Sequence, residues 1–243
     1  MERREFITAT AGASLWLLGT AKTANAEEKV LATPKIKGKI FELEHKLKPL
    51  PFNPTKLQGL SEKMIQSHWE NNYGGSVKTL NGLRKRIGEA IEDKDTSPYI
   101  LNGLKREHLL RTGSVILHEV YFGNLGGSGK CGTDLQNKIS SDFGSFENWQ
   151  NEFKKIAQGL GGGSGWVILG YNYHFKTIEN YWSWDHMHSP PATVPLLAMD
   201  MYEHSYQMDY GAAAAKYIDA FIQNINWEIV EARLERALKL KWI

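Results

Sequence analysis

Asp200-Met201-Tyr202-Glu203-His204 sets a carboxylate and an imidazole four residues apart. That spacing lets both side chains reach one point, on a helix turn or at a strand-to-helix corner. By itself the pair says little, because Asp and His at this spacing are common on solvated helices. Its setting is different. It ends the apolar run Pro195-Leu196-Leu197-Ala198-Met199, where an unpaired carboxylate is costly. A metal ion removes that cost. Two more histidines, His68 and His118, each fall on the apolar side of a helical pattern. A lone histidine there is ordinarily a hydrogen-bonded core residue. Two on facing helices, beside a buried Asp/His pair, point to a shared cation. The single cysteine, Cys131, excludes an intramolecular disulfide framework and any cysteine-rich zinc or iron–sulfur site. Metal chemistry therefore rests on carboxylates and the eight histidines.

The elements that must position these residues can be read from periodicity. Leu60, Met64, His68, Val77, Leu80, Leu83 and Ile87 recur at helical spacing, with Gly74-Gly75 marking a bend. A second helical stretch, 104–125, sets Leu110, Ser114, Leu117, His118 and Tyr121 on one side. Joined by the charged turn Glu92 to Pro98, the two predict an antiparallel helical hairpin. Five glycines between Gly123 and Gly132 mark a boundary. Beyond it come an amphipathic helix over 143–159, then two strands, 166–171 and 175–178, around a turn at Asn172. The apolar 194–199 run reads as a short buried strand, 216–240 as helical, and the Trp-rich stretch Tyr181-Trp182-Ser183-Trp184 as a loop. The expectation is an α+β fold, with an N-terminal hairpin domain over 27–125 and a C-terminal mixed domain with a small antiparallel sheet over 126–243. Proline-rich 27–55 reads as an extended lead-in.

Composition narrows the function. A chain that is 42% hydrophobic with 27 aromatic residues can bury a core, which excludes general disorder. A net charge of +2 without a Lys/Arg cluster argues against nucleic-acid binding. The glycine-rich runs lack the Gly-Lys-Ser/Thr ending of a phosphate loop. The first residues read as an address: Arg3-Arg4, an apolar stretch around Leu15-Trp16-Leu17-Leu18, then Ala24-Asn25-Ala26. The paired arginines followed by Glu5-Phe6-Ile7 resemble a twin-arginine export signal. Removal of 1–26 would leave a mature protein starting near Glu27, working in the periplasm or outside the cell and carrying no membrane span.

Asp200-x-x-Glu203-His204, followed by Tyr206, Asp209-Tyr210, Tyr217 and Asn226-Trp227, resembles the signature of the iron/manganese superoxide dismutases. Leu60-Ser61 with His68 and Leu80-Asn81, His118 with Tyr121-Phe122, and Gly163-Ser164-Gly165-Trp166 extend the similarity over roughly 32–242. The resemblance implies one iron or manganese ion per subunit, held by His68, His118, Asp200 and His204 with a solvent molecule as fifth ligand. It implies that one superoxide is oxidised to oxygen and a second reduced to hydrogen peroxide. A Gln or His that hydrogen-bonds the solvent is implied too; His186 is the candidate, with His188 the alternative. A homodimer is implied, in which Glu203 reaches the partner's final histidine ligand.

The departures lie outside the ligands. Where the family pattern has a gating Tyr this chain has Ser76, and Asn72, Tyr202 and Gln207 replace the usual His, Trp and Tyr. Ala212 to Ala215 replaces Asn-x-Arg-Pro. Trp69 and Tyr73 are candidates to restore bulk and a hydroxyl, so Ser76, Tyr73 and Tyr202 form the expected pocket, with a wider mouth at Ser76. A non-catalytic or altered-activity metal-binding protein on the same scaffold is the alternative, and a peroxidase- or oxidase-like enzyme a third.

Overall fold

Ser61 starts the first ligand-bearing helix. Its hydroxyl accepts from Met64 N at 3.1 Å, satisfying one of the free amides at a helix start. In the computed structural model, which describes residues 36–240, α1 is a single turn (Lys39–Glu42) and α2 spans Glu62–Ser67. A π-helical turn over His68–Tyr73 follows without a break, then α3 over Gly74–Glu92. The bend expected at Gly74-Gly75 is thus made by wider winding just before it. Such insertions are frequent at functional sites, and this one begins at His68. Ser97 and Pro98 open α4 (Pro98–Gly123), six residues earlier than the periodicity indicated, because a capping Ser and a Pro at the first position preorganise a helix start. The hairpin is formed, with α3 packed along α4.

Past the glycine boundary lies α5 (Thr133–Phe143), a helix the apolar pattern did not reveal because it buries only Leu135 and Ile139. In α6 (Phe146–Leu160), Trp149, Phe153, Ala157 and Leu160 line one face. Burying each large side chain there contributes about 1.5–3 kcal/mol. The sheet has order β2-β1-β3, all antiparallel, with β1 Trp166–Asn172, β2 Thr177–Ser183 and β3 Thr193–Asp200. The central strand β1 is buried along its whole length. Pro195 is tolerated because β3 is an edge strand and its register slips there, so the missing amide breaks no ladder bond. Asn172 makes the predicted turn by accepting from His174 N and Phe175 N. The stretch expected as a Trp-rich loop is instead strand as far as Ser183.

The C-terminal helical region divides into α8 (Ala214–Gln223) and α9 (Trp227–Lys239), after a one-turn α7 (Gln207–Tyr210). Asn224 holds the break by bonding across to Gln58 N and O. One continuous core joins residues of α2 through α4 to the sheet and α6, α8 and α9. The lead-in is a strap rather than a free tail over the described residues. His45 exchanges two hydrogen bonds with Asn81, and Lys48 O accepts from Trp69 Nε1. Residues 1–26, read from the sequence as an export signal, lie outside the described residues.

Candidate metal centre

Four elements converge on one point. His68 comes from the π turn, His118 from α4, Asp200 from the end of β3, and His204 from the short turn after it. Their nearest ligand atoms all lie within 4.8 Å of one another. Asp200 Oδ2 is 3.1 Å from His68 Nε2, 3.3 Å from His204 Nε2 and 3.6 Å from His118 Nε2. Bonds of about 2.0–2.2 Å from nitrogen and oxygen to a central ion need a cage of this size. Sheet register contributes directly, since Trp166 on β1 pairs with Asp200 on β3 and brings the strand end to the helices.

The chemistry of the donors agrees with a cation. His68 Nε2 and His118 Nε2 are buried and make no hydrogen bond, an expensive arrangement for polar atoms unless something else accepts their lone pairs. Burial holds the His118 imidazole down to about 3, and the neighbouring His68 adds to this, so the ring is neutral. Burial likewise lowers His68. Burial alone would raise the Asp200 carboxyl, but the charge and hydrogen bond of His204, with His68 close beside it, outweigh it and hold it below the usual carboxylate range. Its main chain is anchored as well. Tyr217 Oη and Ser205 Oγ both donate to Asp200 O, at 2.7 and 2.9 Å. Asp200 Oδ1 accepts from Tyr202 N at 2.8 Å, leaving Oδ2 for the centre.

His186 stands at the site and His188 does not. The His186 ring lies 5.7 Å from that of His118 and stacks on Tyr202 at 4.7 Å, whereas His188 is exposed and paired with Asp185 at 2.7 Å. Trp166 Nε1, which can only donate, gives its hydrogen to His186 Nδ1 at 3.0 Å. Burial lowers His186 to about 4, so the ring is neutral and its one proton sits on Nε2. Tyr202 stacks on His186 and on His204 and forms the wall between them. The backbone of α4 approaches the His186 segment so closely that only glycine fits at 113. A Cβ there would lie 1.8 Å from His186 O.

Two expected pocket residues are placed differently. Ser76 is 3% exposed and bonds Ser114 Oγ at 2.8 Å, so the smaller side chain is packed inward and opens no mouth. Tyr73 is buried with its ring 6.2 Å from His118, but its hydroxyl donates to Glu119 and accepts from Lys48 N. Glu119 also binds His45 at 2.5 Å and Lys48 Nζ, so the Tyr73 hydroxyl and the Trp69 indole both serve the strap. Glu203 is exposed, beside His204, whose side chain is 27% exposed while the other three ligands are buried. Gly113 and the Trp166–His186 bond were missed in the sequence, and Ser114 was read only as part of the His118 helix face. Ser114, four residues before His118 on the same helix face, was the one with a readable signal.

Comparison with known proteins agrees with this geometry. Residues 131–233 match the iron/manganese superoxide dismutase C-terminal domain. A superoxide dismutase [Fe] of Cupriavidus metallidurans is 52% identical over 196 residues, 80% of this chain and 98% of that one. Superoxide dismutase [Fe] of Aquifex pyrophilus is 34% identical, over 80% of this chain and 94% of its own. Superoxide dismutase [Mn] 1 of Halobacterium salinarum is 30% identical, over 80% and 96%. With that likeness running across most of its length, the chain belongs to the iron/manganese superoxide dismutase family.

Proposed function

We propose that this chain is an exported, homodimeric superoxide dismutase that disproportionates superoxide at one iron or manganese ion per subunit. The observation that carries the activity is the convergence of three neutral-capable imidazoles and one buried carboxylate, with His68 Nε2 and His118 Nε2 buried and without a hydrogen-bond partner among the described residues. Iron or manganese bound there supplies a one-electron couple between adjacent oxidation states. The chain's residues do the rest. Asp200 supplies the negative charge that offsets the cation in a dry interior, held in place by Tyr217, Ser205 and the Tyr202 amide. His186, made an Nε2 donor by Trp166, is the group that hydrogen-bonds a solvent molecule at the centre and hands on protons. Tyr202 fixes the plane of that ring.

Elemental analysis of the purified mature protein, together with a superoxide-disproportionation assay, tests the reading. About one iron or manganese per chain with turnover is expected. Full metal loading without turnover would instead identify a metal-binding protein on the same scaffold. Export is supported by Arg3-Arg4, the apolar stretch and Ala24-Asn25-Ala26. Fractionation of cells making the full chain should find it outside the cytoplasm, and a double Arg3→Lys, Arg4→Lys change should retain it inside. The homodimer is supported by exposed Glu203 beside the one partly exposed ligand, His204. Light scattering at micromolar concentration should give twice the mature chain mass. Among the described residues no helix is long and apolar enough to cross a membrane.

A further inference from the structure

We infer that Ser76 and Ser114 form a hydroxyl pair that positions and polarises His118 from behind, a role that rests on the metal reading of the four-ligand cluster. His118 Nδ1 lies 2.7 Å from Ser114 O and 3.2 Å from Ser114 Oγ. A carbonyl can only accept, so the single proton of the neutral ring sits on Nδ1 and the Nε2 lone pair faces Asp200. With that N–H directed at the Ser114 backbone, Ser114 Oγ is its second acceptor. Either hydroxyl can donate across the 2.8 Å contact between Ser114 Oγ and Ser76 Oγ; we assign Ser114 as the donor, because a hydroxyl that gives its hydrogen away is the better acceptor for Nδ1–H. The order is His118 Nδ1–H to Ser114 Oγ–H to Ser76 Oγ. Both serines are buried, at 1% and 3% exposure, where hydrogen bonds polarise one another and water does not compete.

The consequence is twofold. Ser76 belongs to α3 and Ser114 to α4, so the pair ties the helix that continues from His68 to the helix that carries His118. A second acceptor on Nδ1–H also makes the imidazole a stronger donor at Nε2, as partners behind a ligand generally do. Neither serine offers an atom to the centre; Ser114 reaches His118 only at Nδ1. They are positioning residues that act through His118.

The test uses the mature protein, metal-free and iron-loaded, with Ser76→Ala, Ser114→Ala, the double variant and Ser76→Thr. Iron affinity is read by competition with a chelator, the midpoint potential by spectroelectrochemistry, and the His118 Nδ1–H resonance by NMR of the metal-free protein. Each alanine variant should weaken iron about tenfold, the lower end for a partner behind a ligand because Ser114 O remains. Each should also raise the potential, since a weaker donor favours the reduced ion. Ser76→Ala should move the Nδ1–H resonance although Ser76 does not contact the ring. The double variant should be no worse than Ser114→Ala, as expected for members of one chain. Ser76→Thr, which keeps the hydroxyl, should restore affinity and potential. Unchanged affinity and potential in Ser76→Ala, with only a lower melting temperature, would overturn the inference and leave the pair as packing. Additive effects would overturn the chained order. A parent protein that takes up neither iron nor manganese would overturn the metal reading and the inference with it.

Discussion

Gly113→Ala is a one-carbon change, at a residue that supplies no ligand, that should disable turnover. The added Cβ would stand 1.8 Å from His186 O and 2.9 Å from its carbonyl carbon. A carbon–oxygen contact needs about 3.3 Å, so the 186 segment must retreat by about 1.5 Å. The obstacle is backbone on backbone, and no side-chain rotation relieves it. Overpacking of this kind costs about 1–3 kcal/mol, offset in part by about 1 kcal/mol of helix propensity gained on replacing Gly inside α4. Stability should therefore fall by no more than about 2 kcal/mol. His186, however, would lose its 3.0 Å bond from Trp166 and its stacking on Tyr202. Misplacement by about 1 Å at a reacting centre can cost about a hundredfold in rate. Pulse radiolysis or stopped-flow decay of superoxide, normalised to bound metal, should show a loss of that order with metal content unchanged. Activity within twofold of the parent, at full metal loading, would refute the assignment of His186 as the group that faces the centre.

Trp166→Phe should keep the ring packing and remove only the donor to His186 Nδ1. The ring loses its fixed tautomer but stays in place, so normalised turnover should fall about tenfold, below the roughly 10²–10⁴-fold that a general acid–base group contributes in full, while metal content stays unchanged. The metal-free protein should lose stability on acidification. His118 and His186 are held near about 3 and about 4 by burial, below the unfolded value of about 6.5. Between pH 6.5 and 4 the unfolded chain thus binds protons the folded chain refuses, and stability falls as pH falls. Thermal melts of metal-free protein across that window should show it, and His186→Gln should flatten the slope by about one proton. Glu203→Ala should shift the mature protein toward monomer in sedimentation experiments while leaving the fold intact, because Glu203 is exposed.

The ligands were legible because each carries its own signal. His68 and His118 interrupt apolar helix faces, and the Asp200/His204 pair follows an apolar strand. The hairpin and the three strands were legible for the same reason, since burial imposes period. What the sequence hid lacks period. The α5 helix buries two residues only, and the π turn at His68 keeps helical composition while changing its winding. Tyr73 was expected to offer a hydroxyl to the site because its position in the chain is right. Its partner, Glu119, projects to the strap instead, a choice visible only once α3 and α4 are packed. Ser76 was read through the residue it replaces, whereas its environment is set by Ser114, thirty-eight positions away.

The unequal shielding of the four ligands sets the direction of traffic. Three are sealed among helices and strand, and only His204 borders the exterior. An ion exchanging past the least covered ligand would pass that corner, beside His204. If two subunits meet there, separating them should then hasten leakage to a chelator even when every coordinating atom is intact.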